Sequence, residues 1–219
     1  MKHYFLCLFL LASSICLSQG NILLEEQVFQ FTHSYDQELN TRLLSDSSYA
    51  KLPESERLFF YWTNLFRKNP ESFAKHFIKP FLIQFPSANN RSSSSLLQDL
   101  IGIKKLPFLL PNAQLCQLSR AHAVDLAINQ KELSHVSSTG KDFGTRMRQA
   151  GIVTCAGENL LMGKRQPLEN LILLLIDHNV PGFGHRKAIL NPIYNIMGCS
   201  YSQVVNSQQF ILVQLFSCN

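Results

Sequence analysis

The segment from Pro167 to Asp177 constrains this chain most. Pro167 suits the first turn of a helix and Glu169 complements its dipole. From Leu168 to Ile176 the helix is apolar on every side. Such a helix has no face to give to water and must be buried. It is also too short to cross a bilayer. The rest of the chain must therefore cover it, and hydrophobic content of 46% with only 16% charged residues is enough for a packed core.

Upstream, Pro53-Glu54-Ser55-Glu56 opens a helix that carries Leu58, Phe59, Tyr61, Trp62, Leu65 and Phe66 at helical spacing. Asn69-Pro70 breaks it, and Pro70-Glu71 starts another through Phe73, Phe77 and Ile78 towards Pro80. Residues 86–95 read as a polar loop, in which Asn90-Arg91-Ser92 matches a glycosylation sequon. Asn112 is an N-cap candidate for an amphipathic helix through Leu115, Leu118, His122 and Leu126. Residues 134–140 form a loop, Phe143 to Ala150 a short helix ended by Gly151, and Ile152 to Cys155 a strand-like piece followed by a turn at Gly157-Glu158-Asn159. Two strands close the chain, Ile196 to Tyr201 and Phe210 to Phe216. Helices packed on a small sheet, an α+β or layered arrangement, follow from this order.

Residues 1–18 read as a signal peptide: Lys2 and His3, then an apolar run, then small residues, with cleavage after Ser18 or Gly20. Residues 19–52 form an N-terminal extension, one helix or a loose arm, and residues 53–219 the folded domain. Four cysteines remain after the signal, namely Cys116, Cys155, Cys199 and Cys218. In an exported protein they suggest disulfides, with three connectivities open. Cys199 with Cys218 is the pairing that two neighbouring late strands suggest. The formal charge of +5 is scattered in pairs such as Lys104-Lys105, not gathered into the basic face that nucleic acid requires. No later segment is long enough to be transmembrane.

His135, Glu158 and His185 stand beside regular elements, where function concentrates. His185 falls at a helix start after Gly182 and Gly184, with Asn191-Pro192 closing the helix; a helix N-terminus favours a neutral imidazole there. Two imidazoles and a carboxylate suit a divalent cation such as zinc with an open coordination position, or a general base, for which Glu158 is the candidate. Each also has a structural reading, as a turn cap or a satisfied core group. No sequence spacing enforces the trio, which are 23 and 27 residues apart.

Five ordered pieces carry a resemblance. They are Asn64 to Pro70 with Arg67, the helix around Ala121-His122-Ala123, Ser134-His135 followed by Gly140, Ala156-Gly157-Glu158-Asn159-Leu160, and Gly184-His185-Arg186 with Asn191-Pro192 and Gly198. Together they resemble the CAP superfamily (cysteine-rich secretory, antigen 5 and pathogenesis-related 1 proteins, or SCP domain), in its bacterial exported form. The resemblance implies a three-layer α-β-α sandwich with a small antiparallel central sheet. It also implies a cleft with two histidines, His135 and His185, and two acids, one of them Glu158. The tryptophan context of the second acid is missing here, and Asp177 is the acid nearest His185 in sequence. His122 faces the cleft or the core, with the core favoured. The expected function is an exported CAP-domain protein whose cleft binds a divalent cation or a small ligand, a lipid included, or a cell-surface component. The alternatives are a metal-assisted or thiol-dependent hydrolase, the latter through Cys155, and a structural or adhesive module with a vestigial cleft.

Overall fold

The computed structural model describes residues 27–32, 34–153 and 155–218. The segment expected to be a signal peptide, with Cys7, Cys16 and both expected cleavage positions, lies outside the described residues. Ten helices and four strands follow in order: α1 (Gln37–Leu44), α2 (Ser47–Ala50), α3 (Glu54–Lys68), α4 (Pro70–Phe73), α5 (Lys79–Gln84), α6 (Arg91–Asp99), β1 (Leu110–Pro111), α7 (Ala113–Asp125), α8 (Phe143–Gln149), β2 (Ala156–Gly163), α9 (Pro167–Ile176), α10 (Gly184–Leu190), β3 (Ile196–Gln203) and β4 (Phe210–Ser217).

The sheet has the order β1-β3-β4-β2. Three strands are antiparallel, as expected, and the two-residue β1 adds a parallel partner to β3, so the sheet is mixed. Helix α7 covers one face, over β3 and β4, while α3 and α9 lie on the other. The α+β layering expected from the sequence is therefore present. Its second face is thick with aromatic side chains: Phe59, Phe60, Trp62, Phe66, Phe73, Phe77, Phe81 and Phe85 are all buried. Each such ring removed from water contributes about 1.5–3 kcal/mol before entropy is counted. The apolar-rich α9 sits in this layer, with Leu171, Ile172, Leu175 and Ile176 fully covered.

Gly198 sets the distance between α7 and the sheet. A Cβ there would stand 2.2 Å from the carbonyl carbon of Leu115 and 2.5 Å from the amide nitrogen of Cys116. Both atoms are backbone, so no side-chain adjustment relieves the clash, and only glycine lets the helix lie this close.

Several local expectations change. Pro80 lies inside a continuous helical run, because residues Ala74–Ile78 form a π turn between α4 and α5. A proline cannot donate to the helical ladder, and the widened turn absorbs it at the start of α5. The serine-rich stretch is a helix, α6, started by a capping box: the Asn90 side chain accepts from the N–H groups of Ser92 and Ser93, and Ser93 Oγ accepts from the Asn90 N–H. Asn90 Nδ2 is buried, so the sequon's attachment nitrogen is covered. Gly157, Glu158 and Asn159 are strand, not turn: they pair with Phe216, Leu215 and Gln214. Gly157 marks a close approach, since a Cβ there would lie 2.7 Å from Tyr194 Oη.

The disulfide joins Cys155 to Cys218, and Cys199 is free. This replaces the Cys199–Cys218 pairing. Register explains the choice: Ala156 opposes Ser217, which brings the preceding and following cysteines together, whereas Cys199 opposes Gln214 within the sheet.

The extension ahead of α3 is docked. The Phe29 N–H donates to Glu169 Oε1 at 2.8 Å, and the Phe29 ring packs edge-on against Phe81. Glu169 is buried, and burial raises its carboxyl above the usual range, against the hydrogen bond from Phe29 and the charge of Lys164. An acid whose folded value is raised binds its proton more tightly in the folded state, so its ionisation lowers stability as pH climbs above the unfolded value of about 4.3. Glu169→Gln keeps an acceptor for Phe29 and removes the charge. It is expected to hold or raise stability at pH 7 and to flatten the fall in unfolding free energy between weakly acidic and neutral pH. Urea titrations across that range measure it; a variant as pH-sensitive as the wild type contradicts the assignment.

Candidate functional site

Two histidine–carboxylate pairs flank the beginning of β2. In the first, His135 Nδ1 lies 2.8 Å from Glu158 Oε1. A carboxylate only accepts, so Nδ1 carries the proton, and in the neutral tautomer the lone pair is on Nε2. The His135 side chain is 57% exposed and that of Glu158 only 1%, so a covered acid orients an open imidazole. Glu158 is fixed further by Arg146 on α8, whose Nη2 lies 2.9 Å from both carboxylate oxygens and 3.1 Å from the His135 carbonyl oxygen. Asp142 caps α8 by accepting from the Thr145 N–H, which sets the helix that delivers Arg146.

His122 on α7 stands behind this pair. It is buried, as the core reading of the sequence had it, and its Nε2–H donates to the Ser134 carbonyl at 2.9 Å. That bond anchors the loop carrying His135. His122 Nε2 is also 4.0 Å from Glu158 Oε2. Burial lowers its basicity, against the pull of the Glu158 charge, which matches a neutral ring with a bare, unpartnered Nδ1.

In the second pair, His185 Nδ1 lies 2.7 Å from Asp177 Oδ1. Asp177 follows the last residue of α9 in the left-handed region, at φ +55°. That turn swings its carboxylate over the start of α10, where Oδ2 accepts the N–H groups of His185 and Arg186 at 2.9 and 3.2 Å. The side chain of Asp177 has no exposure and that of His185 has 20%. Asn159, next to Glu158 on β2, donates from Nδ2 to the His185 carbonyl at 3.3 Å and to Gln214 Oε1 at 3.0 Å. The two pairs thus meet the sheet at adjacent residues of one strand, β2, which forms its edge.

Two arginines from the motif pieces hold this frame from inside. Arg67 donates to the carbonyls of Pro107, Ile189, Asn191 and Tyr194. Arg186 donates to the carbonyls of Leu175, Ile176 and Ser92, to Ser95 Oγ and to Asp99 Oδ2, under the Phe183 ring. Sequence reasoning missed Arg146. Its target is an acid on another element, and nothing in the spacing around it announces that.

The structure brings His135 to Glu158 and His185 to Asp177, as separate pairs. Among the described residues, no group of three or more His, Cys, Asp or Glu side chains is placed to hold a metal ion. Both carboxylates already spend their oxygens on imidazole, guanidinium or backbone N–H donors. An imidazole backed by a carboxylate is the arrangement that metal-binding histidines commonly have, and Glu158 and Asp177 stand in that backing position to His135 and His185. Cys155 is bonded to Cys218 and is no nucleophile, which removes the thiol-dependent hydrolase.

A two-layered helical cover on a small sheet, with paired histidines and acids at its edge, defines the class. Residues 99–217 match the model of CAP, the cysteine-rich secretory protein family. The chain belongs to that family. Among solved structures it is similar to an extracellular SCP-domain protein of Bacillus anthracis (25% identity, 52% of this chain and 35% of that one, TM-score 0.41). It is also similar to an outer surface protein of Borrelia burgdorferi (20% identity, 52% and 80%, TM-score 0.42). The match thus spans about a third of the Bacillus protein's length. No curated protein matches the chain.

Proposed function

We propose that this CAP-domain protein is exported and that His135 and His185 together form a ligand site, with a divalent cation such as zinc as the simplest occupant. One observation carries the reading: each imidazole has its Nδ1 tied to a covered carboxylate and its Nε2 left without a protein partner among the described residues. Rings held in this way are pre-set to give a lone pair to a cation or to accept a hydrogen bond from a small molecule. Two nitrogen donors alone favour weak, exchangeable binding with open positions for water or a second ligand. Export is supported by the leader-like first residues and by a disulfide, which persists in oxidising compartments. No helix among the described residues is long and apolar enough to cross a membrane.

Titration of the purified protein with cobalt or zinc, followed by calorimetry and visible absorption, is expected to show saturable binding. A His135→Ala, His185→Ala double variant should lose it while keeping its unfolding midpoint within a few degrees. Binding that survives in the folded double variant rules the site out.

A further inference from the structure

A second cluster of chemistry lies apart from the imidazole pairs. Between the α2–α3 turn and the first half of α7 is an open cavity of about 270 Å³. Lys51, Glu56, Cys116 and Arg120 line it, with an apolar wall from Leu52 and Pro53.

Glu56 forms its floor. The residue is 3% exposed. Its Oε1 accepts from Ser200 Oγ at 2.8 Å and from the Tyr201 N–H at 3.4 Å. Its Oε2 receives no hydrogen bond among the described residues. Glu56 lines the cavity, and Oε2 is the acceptor it has left to offer there. Burial raises the Glu56 carboxyl above its usual range, against Ser200, Tyr201 and the charge of Arg120, so the group gains from any donor that enters. At the mouth, Lys51 and Arg120 are exposed, and neither makes an ion pair or hydrogen bond with the described residues. Cys116 adds no charge: burial pushes its thiol up to about 11.

The cavity thus offers an acceptor below and, above it, two cations that no hydrogen bond among the described residues occupies. A molecule with a donor at one end and an anion at the other satisfies both. We propose that this cavity is a ligand site for a small zwitterion, a free α-amino acid, with its ammonium group on Glu56 Oε2 and its carboxylate on Arg120 and Lys51. The side chain then lies along Leu52 and Pro53.

Cys116 supplies an internal reporter. Cys199 is fully buried, and Cys155 and Cys218 are bonded to each other. Among the described cysteines, Cys116 is therefore the one open to alkylation. The probes are L-leucine and L-serine, set against 4-methylpentanoate, which lacks the amine, and isopentylamine, which lacks the carboxylate. The full-length protein is expected to bind an amino acid saturably by calorimetry and, when saturated, to lose at least about tenfold in the rate of Cys116 alkylation by iodoacetamide. Each half-molecule should bind about tenfold or more weakly, as the cost of one unpaired buried group implies. Arg120→Ala alters an exposed side chain, keeps the fold, and should weaken binding by a similar factor. Glu56→Gln should erase the preference for the amino acid over the plain acid; if that variant fails to fold, Arg120→Ala and Lys51→Ala carry the test. The proposal is overturned if neither amino acid binds or protects Cys116 at millimolar concentration, or if Arg120→Ala binds as tightly as the wild type.

Discussion

Arg67→Leu is expected to destabilise the protein by about 3–5 kcal/mol, enough to lower the thermal midpoint by roughly 10 °C in a chain of this size. The guanidinium is fully buried, and burial lowers its pKa to about 10, which leaves it charged at neutral pH. Among the described residues no carboxylate pairs with it; its hydrogen bonds go to four backbone carbonyls, at 2.6 to 3.1 Å. Those carbonyls come from the entry to β1, the end of α10 and the turn into β3. One side chain on α3 thus ties together three connections that would otherwise carry unsatisfied buried acceptors. Leucine replaces only the inner part of the stem and leaves the acceptors stranded. Arg67→Lys should recover little, since a single ammonium cannot reach the spread of acceptors that the planar fork reaches. Urea unfolding should show a lower midpoint with an unchanged slope. A loss below about 1 kcal/mol would mean that water or a small backbone shift replaces the fork.

Arg146→Met should cost about as much, 3–5 kcal/mol, for the opposite reason: it strands a charge instead of acceptors. Glu158 has 1% side-chain exposure, and Arg146 is the cation that holds both its oxygens. Removing the guanidinium leaves the carboxylate with His135 Nδ1 and with His122 at the edge of contact. Adding Glu158→Gln to the Arg146→Met protein should then restore stability, because the stranded charge is gone. The same substitution in the wild type should destabilise. A double-mutant cycle in urea reads this coupling directly. Additive effects would show that Arg146 and Glu158 do not act as a pair, and the orientation of His135 would need another cause.

Much of the frame was legible from the residues. The apolar-rich α9 announced its own burial, Asn112 its role as a cap, and Phe210 to Phe216 its strand. The histidines were legible as motif members. Their partners were less so, because a carboxylate's target depends on which elements meet. Asp177 reaches His185 only because its left-handed backbone turns the side chain back over α10, and no hydrophobic period encodes that. Gly157 was misread for a related reason. Glycine signals either freedom to turn or the need for space, and only the position of Tyr194 reveals which applies. The serine run failed as a loop because composition ignores caps: Asn90 with Ser93 starts the helix, and Leu96 and Leu100 bury its inner side. The cysteine pairing needed strand register, which the sequence alone left open.

Asp177 both steadies the His185 ring and starts α10, using one oxygen for each task. The ring therefore cannot swing far to follow an incoming molecule without loosening the first turn of the helix that carries it. Discrimination at this position should come from rejecting shapes that ask for movement, and a visitor that suits the resting arrangement should arrive and depart with little reorganisation.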